Sequence, residues 1–150
     1  MSATPKTIIL KGDPIRKEGV ASEAITPGHL VEFGGSNDLQ AHSTAGGNAR
    51  KAFAVENDLV GGAITDAYAQ DDTLQYVIAR PGDEVYALLA HGENVSEGDA
   101  LESDSNGALQ EHTAPGGSDS GLQMDAIVGY ALEDLNNTTG AEARIKVEVA

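Results

Sequence analysis

EAITPGHLVEFGGSNDLQAHSTAGG, residues Glu23 to Gly47, returns seventy residues later without a gap as ENVSEGDALESDSNGALQEHTAPGG, residues Glu93 to Gly117. Glu23, Gly28, Glu32, Leu39, Gln40, His42, Gly46 and Gly47 each meet an identical residue, at Glu93, Gly98, Glu102, Leu109, Gln110, His112, Gly116 and Gly117. Ile25/Val95, Thr26/Ser96 and Val31/Leu101 keep their chemical character. A catalytic constellation gives no reason for such duplication, whereas a unit of turn, strand, turn and strand does. The repeat therefore speaks first about architecture.

With seven extra residues allowed in the second copy, Phe53-Ala54-Val55-Glu56 matches Tyr130-Ala131-Leu132-Glu133. Each copy then reads as a hairpin, a Gly-rich loop and a returning strand. Two copies are too few for a solenoid, which needs about three or more stacked units. The expectation is an all-β fold, a small β-barrel or β-tulip-like sandwich with an internal pseudo-repeat and at most one short helix. It is a single β domain over residues 20–150, with repeat units near 23–56 and 93–133, preceded by an extended amino-terminal arm over residues 1–19.

A chain of 150 residues is long enough to bury roughly two-thirds of its unfolded surface in one core. It has no cysteine, which removes disulfides and thiolate metal sites from consideration. No apolar run approaches the roughly 18 residues of a membrane-spanning helix, and the start MSATPKTIIL lacks the plan of a signal peptide. Nine Lys and Arg against 24 Asp and Glu give a net charge of -15, spread along the chain. Without a basic stripe nothing displaces counterions from phosphates, so neither nucleic acid nor a membrane is an expected partner. The basic residues cluster at Lys6, Lys11, Arg16 and Lys17, which makes the amino-terminal stretch the place to meet an acidic partner.

Gly and small turn residues punctuate the chain every eight to twelve positions, the rhythm of an all-β domain. Strands are expected over His29 to Phe33, Leu39 to His42, Ala52 to Glu56, Ala100 to Ser103, Ala108 to Glu111 and Ala126 to Glu133. Leu74 to Arg80 and Glu84 to Ala90 flank Pro81-Gly82-Asp83 and read as the clearest hairpin. Ile64 to Gln70 is the best short helix, with Thr65-Asp66 to cap it. Ala143 to Val149 alternates between Ile145, Val147, Val149 and polar Arg144, Lys146, Glu148, the pattern of a half-buried closing strand.

The four histidines, His29, His42, His91 and His112, raise a metal site, but only His42 and His112 are repeat mates, and the bland reading is surface polarity. Glu102 to Gly107 resembles a calcium loop, yet its twelfth place holds Thr113 where a bidentate Glu is required. An Asx turn accounts for it better. No nucleophile elbow, phosphate loop or dinucleotide fingerprint occurs, and with 24 carboxylates any acid and base pair is uninformative. No enzyme activity and no cofactor are expected.

KGDPIRKEGVASEAITPGHLVE, HSTAGGNA with FAVENDLVGG, Thr65-Asp66-Ala67-Tyr68, RPGDEVYALLAHGENVSEGDALES and the ending ARIKVEV together resemble the small head decoration, or cement, proteins of tailed viruses. The resemblance implies a β-barrel or tulip-like sandwich on the outer surface of the capsid, commonly as a homotrimer, clamping copies of the major capsid protein. It supplies no catalytic residues. The candidate contact with the capsid or a neighbouring subunit is then Lys6, Ile8, Ile9, Leu10, Lys11, Arg16 and Lys17. The competing reading is a carbohydrate- or surface-binding β module on the virion or cell exterior, using loops Ser43 to Lys51 and Thr113 to Gly121. The lack of tryptophan weighs against it.

Overall fold

Short runs of β-branched and aromatic residues between Gly-rich turns leave the backbone no local partner, so it pairs at long range. The computed structural model describes residues 4–113 and 126–150. Thirteen strands are found there: β1 (Ile9–Lys11), β2 (Ile15–Val20), β3 (Val31–Phe33), β4 (Leu39–Ala41), β5 (Ala52–Ala54), β6 (Thr73–Ile78), β7 (Glu84–Leu89), β8 (Glu93–Val95), β9 (Ala100–Ser103), β10 (Leu109–Glu111), β11 (Gly129–Ala131), β12 (Leu135–Asn137) and β13 (Ala143–Val149). No α-helix occurs among the described residues.

Five strands close a barrel in the order β7-β10-β9-β11-β13, with β13 returning to β7. The closing seam is the longest, running from Ala143 opposite Leu89 to Glu148 opposite Glu84. The first half of the chain traces the same circuit. β2, β6 and β5 form a sheet, β5 reaches β3 through the bridge of Phe53 with Leu30, β3 and β4 are a hairpin, and Leu39 of β4 bridges in parallel to Ala21, just after β2.

The two circuits are the sequence repeat made physical. Glu32 opposes Gln40 in the first hairpin, and Glu102 opposes Gln110 in the second. The Gly28 N–H donates to the Ala54 carbonyl and the Gly98 N–H to the Ala131 carbonyl, both at 2.8 Å. Ala100 pairs with Tyr130 as Leu30 does with Phe53. The parallel bridge of Leu89 with Leu109 repeats that of Ala21 with Leu39. β8 and β12 pair Val95 with Leu135 where the first copy pairs Ile25 with Tyr68.

Each circuit has an apolar filling. Ala21, Ile25, Val31, Leu39, Ala54, Leu74 and Tyr76 pack together in the first. Their mates in the second, including Leu89, Val95, Leu101, Leu109, Ala131, Ile145 and Val147, belong to a larger cluster that also takes in Leu30, Phe53, Val55 and Val77 from the first copy. The two units are joined by this shared core, where each fully buried large side chain contributes about 1.5–3 kcal/mol. The backbone of Gly107, at the second hairpin's turn, also enters the first hairpin. Its carbonyl accepts from Leu30 N–H at 2.8 Å and its N–H donates to the His42 carbonyl at 3.2 Å.

Two expectations are corrected. Residues 64–70 are not helical: Tyr68 exchanges backbone hydrogen bonds with Ile25, and its buried hydroxyl donates to the Val55 carbonyl at 2.7 Å. That tertiary demand outweighs one or two turns of weak helix propensity. The runs around Pro81-Gly82-Asp83 are strands but not a hairpin, because β6 pairs with β2 and β5 while β7 pairs with β1, β10 and β13. The turn instead passes the chain between units, tied down by Gly82 N–H to the Val149 carbonyl and Val149 N–H to the Asp83 carbonyl. The remaining expected strands are present, Ala100 to Ser103 and Ala143 to Val149 with the expected bounds and the others shortened at their ends. The Asx turn holds: the Asp104 carboxylate accepts from the Asn106 and Ala108 N–H groups at 2.7 and 3.1 Å.

Candidate interaction surface

The repeated Glu, Gln and His residues build the same polar cluster in each hairpin. Gln40 Nε2 donates to Glu32 Oε1 at 3.0 Å, and Gln110 Nε2 to Glu102 Oε1 at 3.1 Å. His42 Nε2 lies 3.6 Å from Glu32 Oε2, and His112 Nδ1 3.0 Å from Glu102 Oε2. Glu23 and Glu93 each accept a backbone N–H from the hairpin's second strand, from Ala41 and Glu111, both at 3.0 Å. These groups satisfy one another. Among the described residues no three His, Asp or Glu side chains are grouped to hold a metal ion.

The first cluster is locked more fully. Buried His42 donates through Nε2 to the Asn48 carbonyl at 2.9 Å and hydrogen-bonds the Ser103 hydroxyl through Nδ1 at 2.7 Å. Burial alone would push the Glu32 carboxyl up, but bonds from the Ser43 hydroxyl, Gln40 and the Ser43 N–H, with the charge of His42, hold it below the usual range. This is a built-in staple between hairpin and loop.

What differs between the copies marks the surface. In the second copy, the outer edge of β7 is covered by β1, with Ile9 opposite Val85 and Lys11 opposite Glu84. In the first copy β2 ends its sheet among the described residues. The copies also part after the returning strand: Phe53 to Tyr68 runs ten residues longer than Tyr130 to Leu135. The extra length folds as a 3-10 turn, Asp58–Val60, closed by Gly62 N–H to the Asn57 carbonyl at 2.8 Å. At its tip Leu59 and Val60 are each 78% exposed.

The tip stands beside β2. Arg16, Lys17, Glu18, Asp58, Leu59 and Gln75 line a groove of about 460 Å³. Arg16 donates to Gln75 Oε1 at 2.9 Å and lies 3.7 Å from Asp58. Ile15 and Val20 add two more exposed apolar side chains on β2. Ile15 and Val20 lie on opposite faces of the strand, so the exposed pair Leu59 and Val60 at the turn tip, flanked by the charges of Arg16, Lys17 and Asp58, is the candidate interaction site.

The residues singled out on sequence divide. Ile8 is fully buried in the shared core, and its N–H donates to Glu56 Oε2 at 3.1 Å. Ile9 and Leu10 are half-buried, while Lys6, Lys11, Arg16 and Lys17 are exposed. Of the stretch to residue 19 read as an arm, 9–11 pair with β7 and 15–19 with β6. Leu59 and Val60 went unnoticed on sequence, although the unequal spacing after Phe53 and Tyr130 was the available signal. Of the two loops considered for glycans, most of Thr113 to Gly121 lies outside the described residues. Beside the other, the exposed ring of Phe33 is covered by Arg50 at 4.7 Å.

No family model matches the chain, and no curated protein matches it in sequence. A solved structure does match in fold. Over 91% of this chain and 93% of the other, with a TM-score of 0.57 and 10% identity, the protein is similar in fold to the N base of the head fiber gp8.5 of bacteriophage phi29.

Proposed function

We propose that this protein decorates the outer surface of a viral head and stabilises it by bridging major capsid proteins. The fold likeness to a phage head fiber base carries the proposal. The sequence resemblance to cement proteins, the acidic composition and the duplicated β circuit support it. The exposed apolar tip beside β2 supplies an attachment surface that the second copy lacks.

The mechanism is mechanical. A ligand that binds the assembled shell and not its free subunits stabilises the assembly by mass action. Clustering copies as a homotrimer multiplies modest single contacts through effective concentration. The test is to add purified protein to undecorated shells of the parent virus. Saturable binding in a symmetry-related ratio, with a raised temperature of shell disruption, is the expected result. Failure to co-sediment with shells at any concentration rejects the proposal.

A further inference from the structure

We infer that the open edge of β2 is a docking site for an extended acidic segment of a partner protein, which adds to the sheet as an antiparallel strand. The duplication shows what such an edge accepts. Because Phe53 corresponds to Tyr130, the registers Phe53 with Val77 and Tyr130 with Glu148 make Val77 the mate of Glu148. Arg16, opposite Val77, is then the mate of Glu84, and Glu18 the mate of Tyr86. The β7 edge at Glu84 and Tyr86 is filled by β1, and the Tyr86 N–H donates to the Ile8 carbonyl at 2.7 Å.

On β2 the same backbone groups face outward. Gln75 and Ala79 make their backbone bonds to Val55 and Lys51, so by alternation Tyr76 and Ile78 bond to Lys17 and Ile15. The N–H and carbonyl groups of Arg16 and Glu18 are left pointing away from the sheet. Strand addition to such an edge is a general mode of peptide recognition.

The chemistry of the occupant follows from a charge reversal. Lys11 of β1 sits opposite Glu84, with Nζ 3.8 Å from its Oε2. Arg16 replaces that Glu, and Lys17 beside it makes no ion pair among the described residues. A strand on β2 therefore needs a carboxylate where β1 has a lysine. Charged side chains also guard open edges against pairing. Here, however, they accompany exposed Ile15 and the tip of Leu59, which a guarded edge has no cause to present, so the occupant carries apolar residues as well.

The probe is a peptide of the Lys6 to Lys11 sequence carrying Lys6→Glu and Lys11→Glu, compared with the unchanged peptide on the full chain. The reversed peptide should bind several-fold more tightly, up to about tenfold, because the carboxylate at position 11 turns a repulsion opposite Arg16 into one cross-strand charge pair while position 6 falls opposite Val20. On binding it should slow hydrogen exchange at the Arg16 and Glu18 amides, which a purely ionic contact leaves unchanged. Arg16→Glu should reverse the preference. Glu18→Pro should abolish binding without removing a bond to β6, since its N–H faces outward. Equal binding of the two peptides, or binding that survives Glu18→Pro in a folded chain, would overturn the inference. So would concentration-dependent protection of Arg16 and Glu18 without peptide, which would make a second copy the occupant. None of these outcomes alters whether the protein binds shells.

Discussion

Arg144 of β13 donates through Nη2 to the carbonyl of Ile64 at 2.7 Å, joining the closing strand of the second circuit to the long excursion of the first. Its Nη1 donates to the carbonyls of Pro27 and Tyr86, and burial holds its pKa below the usual guanidinium value. Arg144→Ala should remove about 2–4 kcal/mol of stability, because it strips partners from part-buried carbonyls. Arg144→Lys should recover only part, since one ammonium cannot copy a planar fork. Chemical denaturation of the three proteins checks the order.

Gly28 and Gly98 are repeat mates with the same left-handed backbone, φ +99° and +95°. Alanine at either position costs about 1 kcal/mol in conformation alone. At Gly28 the added Cβ would also collide with Arg144 Nη1 and lie 3.0 Å from the Tyr86 carbonyl oxygen, whereas nothing lies within 4 Å of the same atom at Gly98. Gly28→Ala should therefore lower the melting temperature well beyond Gly98→Ala. Equal shifts would contradict the packing described between the two circuits.

Glu32 gives a pH signature. Its folded pKa is depressed, so the unfolded chain binds the extra proton in the acidic window. The stabilisation is fully present above the unfolded value, 4.5, and is lost as pH falls through the folded value. Urea titrations between about pH 6 and pH 3 should show the advantage over Glu32→Gln shrinking as the solution is acidified. An advantage that grows toward low pH has the wrong sign and rejects the assignment.

Leu59 and Val60 separate attachment from folding. Each is 78% exposed, so the double change Leu59→Ser with Val60→Ser should move stability by no more than about 0.5 kcal/mol. On the proposed function it should weaken co-sedimentation with shells. Unchanged shell binding would move the attachment surface elsewhere on the molecule.

The sequence by itself determined the duplicated hairpins, the closing strand Ala143–Val149 and the Asx turn at Asp104, because each is written in local spacing: turn residues, period-two alternation, a side chain bonding two residues on. It also placed Glu32, Gln40, His42 and their mates as a repeated set, though not as bonded clusters. Only the tertiary structure decided that the runs either side of Pro81-Gly82-Asp83 belong to different sheets and that Tyr68 is a bridge partner instead of a helix residue. It alone showed that Ile8 is buried and that, among the described residues, β2 has an open edge while β7 does not. The reason is physical. A strand's hydrogen bonds lie outside itself, so its own residues fix where it begins and which face is apolar, but its partners are chosen by the rest of the chain.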